Sequence, residues 1–108
     1  MKYRFENVKC IKTIDGDTID VIIDFGFNLT QTHRLRFFGI NAPETRGPER
    51  EEGLKSKAWL KDLIEGKRIK IQTYKRGKYG RIVADIIFKR RNINKRMVEE
   101  GLAEYKEY

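Results

Sequence analysis

Three short blocks carry the residues of this chain that could do chemistry: Asp15-Gly16-Asp17-Thr18, Arg36 leading into Asn41-Ala42-Pro43-Glu44-Thr45, and Lys78-Tyr79-Gly80-Arg81. Asp17 and Asn41 can supply oxygen ligands to a hard cation, Glu44 a base for water, and Arg36 and Arg81 positive charge for the oxygens of a phosphorane-like transition state. Together these are the parts that metal-assisted cleavage of a phosphodiester needs. Each block alone has an ordinary structural reading. Asp15-Gly16-Asp17 suits a type I′ hairpin turn, Glu44 suits the approach to a helix N-terminus, Arg36 an outward strand position, and residues 78–81 a solvated basic turn. The functional reading rests on their occurring together and in this order.

Composition frames that reading. A chain of 108 residues is expected to form one domain, spanning 1–108. Its hydrophobic fraction of 39% suffices for a small barrel or a two-layer core. Charged residues reach 37%, and 24 Lys+Arg against 16 Asp+Glu leave a net charge of +8, which favours a polyanionic partner, nucleic acid first. A heat-adapted surface rich in Lys and Glu would give similar figures. Cys10, the single cysteine, cannot form an intramolecular disulfide and is expected to be a buried, inert thiol. His33 precedes two basic residues in a strand-like run and is assigned no role. The opening residues hold neither a secretory signal nor a membrane span, so the expectation is a cytoplasmic protein with no membrane partner.

The elements that must position the blocks follow from periodicity and punctuation. Residues 8–14 and 18–25 are rich in β-branched and aromatic side chains and flank an Asp-Gly pair. A turn near residues 26–28 leads to a third strand over 29–38, closed by Gly39 and then Pro43. Two more strands lie around Ile69 and Ile71 and over 83–88, joined by a hairpin turn through Gly77 and Gly80. A helix fits from about Pro48 to the stop at Gly66, with Glu49, Glu51 and Glu52 in its first turn. A second is expected to begin with Asn94 as N-cap, carry Met97 and Val98, and end at Gly101. Five strands with a helix after the third and another at the end suit a β-rich α+β fold, a five-stranded barrel of the oligonucleotide/oligosaccharide-binding (OB) kind.

Ile14-Asp15-Gly16-Asp17-Thr18, the segment from Arg36 to Thr45, and Tyr79-Gly80-Arg81 resemble, in order and spacing, the three signature blocks of the staphylococcal nuclease (thermonuclease-like) family. Asn94 and Gly101-Leu102-Ala103 resemble its last shared helix, so the likeness extends over roughly residues 8–105. The resemblance implies an OB-fold barrel and a calcium-dependent enzyme that hydrolyses phosphodiesters of DNA and RNA. It implies Ca2+ held by Asp17, by the residue at position 41 and by the backbone carbonyl of Ala42. It also implies that Arg36 and Arg81 lie on the scissile phosphate, that Glu44 activates or orients the attacking water, and that Lys78 and Tyr79 contact a terminal phosphate of the substrate.

Several positions depart from the family pattern. Asn41 stands where the family usually has a second acidic ligand, which removes one formal charge from the cation's shell. Ala42 replaces a Thr found in some members, Gly77 replaces a frequent acidic residue, and the chain stops at Tyr108 without the nucleotide-stacking tyrosines of the best-known member. The expected function is calcium-dependent hydrolysis of single-stranded DNA or RNA by a monomer. A catalytically weak or inactive OB-fold nucleic-acid-binding module is the alternative. Glu44 and the two arginines argue against that alternative, because a passive phosphate binder has no use for a carboxylate that repels its ligand.

Overall fold

The computed structural model describes residues 2–74 and 81–106. In chain order the elements are β1 (Tyr3–Asp15), β2 (Thr18–Asp24), β3 (Thr30–Phe37), β4 (Ile40–Asn41), a 3-10 turn (Gly47–Glu49) and α1 (Arg50–Ile64). They are followed by β5 (Arg68–Thr73), β6 (Ile82–Phe88), β7 (Arg91–Asn92), α2 (Ile93–Glu99) and β8 (Glu104–Tyr105). The first three strands form an antiparallel meander, β5 pairs with the other edge of β1, and β6 with β5. The sheet then closes on itself: β6 returns in parallel to β3, with Leu35 opposite Ile82, Arg36 opposite Val83 and Phe37 opposite Ala84. This is the closed five-stranded barrel with two helices expected of the OB class.

Alternation fills the barrel. Val8 and Cys10 of β1, Ile19, Val21 and Ile23 of β2, Leu35 and Phe37 of β3, and Ile69 and Ile71 of β5 point inward and are buried. Leu60 and Ile64 of α1 and Ile93 and Met97 of α2 complete the same core. A register shift in β1 between Cys10 and Lys12 leaves Ile11 partly exposed and turns the Cys10 backbone to the end of α1. There Gly66 N–H donates to Cys10 O at 2.7 Å and Cys10 N–H to Lys67 O at 3.0 Å.

Several expectations need correction. β1 starts at Tyr3 instead of residue 8, because Tyr3 and Phe5 pair with Thr73 and Ile71 and Phe5 packs edge-on to Phe25, centroids 5.7 Å apart. Three two-residue strands, β4, β7 and β8, supplement the five of the barrel. The first helix opens as a 3-10 turn with Pro48 near its start and becomes α-helical only at Arg50. Asn94 is not the N-cap of α2. Asn92 is, its side chain accepting from Lys95 N–H at 3.0 Å. Asn94 is buried instead, accepting from Ile86 N–H at 3.0 Å and donating to Phe38 O at 2.9 Å and Ala84 O at 3.1 Å. Two asparagines two positions apart both look like caps, and only burial separates them. Gly101 does end α2: at φ +74 it donates to Val98 O while Leu102 N–H reaches Met97 O, the paired bonds of a Schellman motif.

The turn chemistry is also redistributed. Left-handed geometry of the I′ kind appears between β2 and β3, at Phe27 (φ 56) and Asn28 (φ 60). Gly16 has no positive φ, so the Asp15-Gly16-Asp17 turn is not of that type. Space requires its glycine. A Cβ on Gly16 would sit 2.7 Å from Ser56 Cβ on α1 and 2.9 Å from Ala42 Cβ.

Candidate active site

The β1–β2 turn, the end of β3 and the strand β4 meet at one rim of the barrel, where a buried carboxylate organises the contacts. Asp17 Oδ2 forms an ion pair with Arg36 Nη1 at 2.7 Å and accepts from Ala42 N–H at 2.8 Å. Its Oδ1 accepts from the Thr18 hydroxyl at 3.1 Å. The Arg36 guanidinium spans the site, its Nη2 donating to Asn41 Oδ1 at 3.0 Å. Asp17, Arg36, Asn41 and Ala42 are thus one connected cluster, drawn from a turn, a barrel strand and the segment after it.

The Arg36–Asp17 pair is largely desolvated, with side chains only 11% and 10% exposed, while Asn41 is exposed. The Asp17 carboxyl is pushed up from 3.8 to about 6, chiefly by burial and by the hydrogen-bonded Asp15 carboxyl, against which the Ala42 N–H and the Arg36 charge pull down. The single guanidinium therefore does not offset the cost of burying this anion. Asp15 lies behind it, its Oδ1 accepting from Asp17 N–H at 3.2 Å. Asp15 and Thr18 belong to the first sequence block, but type and spacing give neither a role of its own. Their adjacency to Asp17 was the available signal.

Glu44 follows two residues after Ala42 on an exposed loop, and among the described residues its carboxylate makes no hydrogen bond or ion pair. The loop's main chain is nonetheless fixed. A Cβ on Gly53 of α1 would collide with the Glu44 carbonyl group and lie 2.8 Å from Thr45 N, so the absence of a side chain at 53 lets the helix seat the loop. The Ser56 hydroxyl, one turn on, donates to Leu102 O at 2.6 Å. Beyond Leu102, β8 pairs with β4, placing Glu104 opposite Asn41 and Tyr105 opposite Ile40. Helix α1 and the segment after α2 thus brace the Asn41–Glu44 stretch from two sides.

Arg81 is exposed and stands one residue ahead of β6, whose Val83 is registered against Arg36. Lys78 and Tyr79 lie outside the described residues. His33 plays no part in the cluster; its Nε2 is 2.8 Å from Gln31 Oε1. Cys10 is buried, and burial lifts its thiol from 9.0 to about 11.

The donor atoms of the cluster are oxygens, a carboxylate and an amide, and one guanidinium touches both. That chemistry suits a hard cation and offers no soft ligand. Among the described residues no group of three His, Cys, Asp or Glu side chains could hold a metal ion, so a cation here would also need backbone carbonyls, water or substrate oxygens.

A family model described as staphylococcal nuclease homologue matches residues 34–108. An uncharacterized endonuclease of Haemophilus influenzae is 31% identical over 101 residues, covering 93% of this chain and 53% of that protein. A second uncharacterized endonuclease, from Escherichia coli, is 30% identical over 96 residues, covering 88% of this chain and 58% of its own length. A staphylococcal-like nuclease of Arabidopsis thaliana is 33% identical over 75 residues, covering 69% of this chain and 22% of that protein. The chain spans somewhat more than half the length of the bacterial relatives.

Proposed function

The chain belongs to the staphylococcal nuclease family, and from that premise we propose that it is a metal-dependent nuclease hydrolysing the phosphodiester bonds of single-stranded DNA, RNA or both. The proposed cofactor is Ca2+, and the proposed setting is a cytoplasmic monomer. The observation that carries the reading is the convergence of Asp17, Arg36 and Asn41 through one guanidinium, with the Glu44 loop braced beside them.

In this reading the Asp17 carboxylate, the Asn41 amide oxygen and the Ala42 carbonyl would hold the cation, which would supply positive charge to offset charge developing on the phosphoryl group. Glu44, free of partners among the described residues, accepts the proton of the attacking water as its oxygen closes on phosphorus and the bond to the leaving oxygen breaks. Arg36 and Arg81 stabilise charge on the non-bridging oxygens, for which a planar guanidinium is matched in shape. Lys78 and Tyr79 are assigned to a terminal phosphate of the substrate.

One observation favours a second reading, a binding module with little turnover: Arg36 already occupies an oxygen of both Asp17 and Asn41, and Asn41 brings no charge of its own. Steady-state hydrolysis of an oligonucleotide by Glu44→Gln and Arg81→Ala separates the two. Both side chains are exposed, so the enzyme reading expects kcat to fall about 100-fold or more in each with the unfolding midpoint unchanged. A parent chain that binds the oligonucleotide but hydrolyses it no faster than background would establish the binding module, and variant rates equal to a substantial parent rate would overturn the roles given to Glu44 and Arg81.

A further inference from the structure

The wall of the barrel formed by β1, β5 and the end of β6 carries a concave, strongly basic surface that takes no part in the cluster above. A groove of about 630 Å³ runs across it, bordered by Arg4, Arg68, Lys70, Lys89 and Arg90, with Glu6 the one acidic residue in its lining. Its floor is apolar, from Ile69, Ile87 and Phe88. None of these residues belongs to the Asp17–Arg36–Asn41 cluster. Arg36 lies on β3, whose barrel partners are β2 and the first residues of β6, whereas the groove uses the far end of β6.

The charges on this wall are arranged against the interest of the fold. Lys9 on β1 stands directly opposite Arg68 on β5, a cross-strand like-charge pair that destabilises a sheet. Glu6 is shared between Arg4 and Lys70, each at 3.8 Å, so one anion answers two cations. Among the described residues neither Arg68 nor Arg90 has an ion pair. Lys89 and Arg90 form the β6–β7 turn with φ values of 50 and 68, a conformation in which glycine or asparagine would be unstrained. Away from the groove, each ion pair among the described residues joins one cation to one carboxylate: Arg34 with Asp20 at 2.8 Å, Arg36 with Asp17 at 2.7 Å and Lys61 with Glu65 at 3.9 Å.

We propose that this groove is a second polyanion-binding surface, which holds the phosphate backbone of a nucleic-acid strand away from the catalytic cluster. A line of cations over a shallow apolar floor suits a repeating phosphate chain with sugar or base faces against Ile87 and Phe88, and a strand bound there gains affinity without being cut. The proposal goes beyond the assignment of the cleavage site, because binding at this wall requires neither Glu44 nor a cation.

The test is fluorescence anisotropy of a labelled single-stranded oligonucleotide in excess chelator, over a series of salt concentrations. The variant combines Arg68→Gln, Lys70→Gln and Arg90→Asn, the last removing charge while keeping the left-handed turn, and its fold is verified by thermal unfolding. A control carries the same loss of charge elsewhere, as Lys57→Gln, Lys61→Gln and Lys95→Gln. The groove variant should bind at least about tenfold more weakly, with the slope of log K against log salt reduced by about 2, as expected for three lost contacts to a single strand. The control should change far less, and hydrolysis of a dinucleotide too short to reach the groove should stay at the parent rate. Equal affinity and slope in the groove variant and the parent overturn the proposal, as do equal losses in groove variant and control. Unchanged oligonucleotide binding with lost binding to vesicles containing anionic lipid would reassign the wall to a membrane surface and likewise overturn it.

Discussion

Arg36 reaches the Asp17 carboxylate with one nitrogen and the Asn41 amide with the other, so it holds the site together in addition to its proposed charge on the phosphate. Whether Arg36 is read as a phosphate-binding side chain or as an ordinary outward strand residue, its type and place in the sequence suggest that its loss would spare the fold. Burial of its ion pair changes that expectation. Arg36→Ala should lower the unfolding free energy by about 2–4 kcal/mol, since it strands a buried carboxylate, whereas exposed Arg81→Ala should stay within about 0.5 kcal/mol. Urea denaturation of the two variants checks the contrast; equal stabilities would mean that the Arg36–Asp17 pair does not form in solution. At Asn41 the opposite change is informative. Asn41→Asp restores a formal negative charge within reach of the same guanidinium and should tighten Ca2+ by about tenfold, or ~1.4 kcal/mol. Calorimetric titration with and without a nucleotide measures it, and unaltered or weaker affinity would place the cation away from residue 41.

The elements are joined at contacts where a side chain would not fit. Gly53 has no unusual φ, and Ala is the better helix former by about 1 kcal/mol, so helix propensity predicts that Gly53→Ala stabilises α1. Packing predicts the reverse, because the new Cβ meets the backbone of Glu44 and Thr45, which cannot rotate aside. The expected outcome is a net loss of about 1–3 kcal/mol and a drop in kcat as the Glu44 loop shifts. A more stable variant with unchanged kcat would show that α1 does not seat this loop. Such close approaches explain what could be read from residue types. The barrel was legible because its strands are rich in β-branched and aromatic residues and largely alternate and several of its turns carry Gly, Asn or Asp, and Asp17, Arg36 and Asn41 were legible as a set because their types suit one reaction. That Gly16 and Gly53 are spacers, that Asn94 is buried against Phe38 and so leaves Asn92 to cap α2, and that Ser56 ties α1 to Leu102 depends on contacts between separate elements and loops. Local pattern holds no trace of those contacts.

At the scale of the whole molecule, closure through the parallel β3–β6 pairing sets Arg36 beside Val83 and so brings the start of β6, with Arg81 ahead of it, to the side of the barrel that carries the cluster. Of the cations behind the net charge of +8, five border the groove on the wall of β1, β5 and the end of β6 against Glu6 alone, consistent with a polyanion that contacts more than one face. The most direct test of the central claim is a gel assay of purified protein on single-stranded DNA and RNA, run with calcium, with excess chelator, and with Glu44→Gln in place of the parent chain. Hydrolysis by the parent chain in calcium, abolished by chelator and reduced by about 100-fold or more in Glu44→Gln, is the predicted result. Cleavage that persists in chelator and is untouched by Glu44→Gln, or no cleavage of either substrate in calcium, would contradict it.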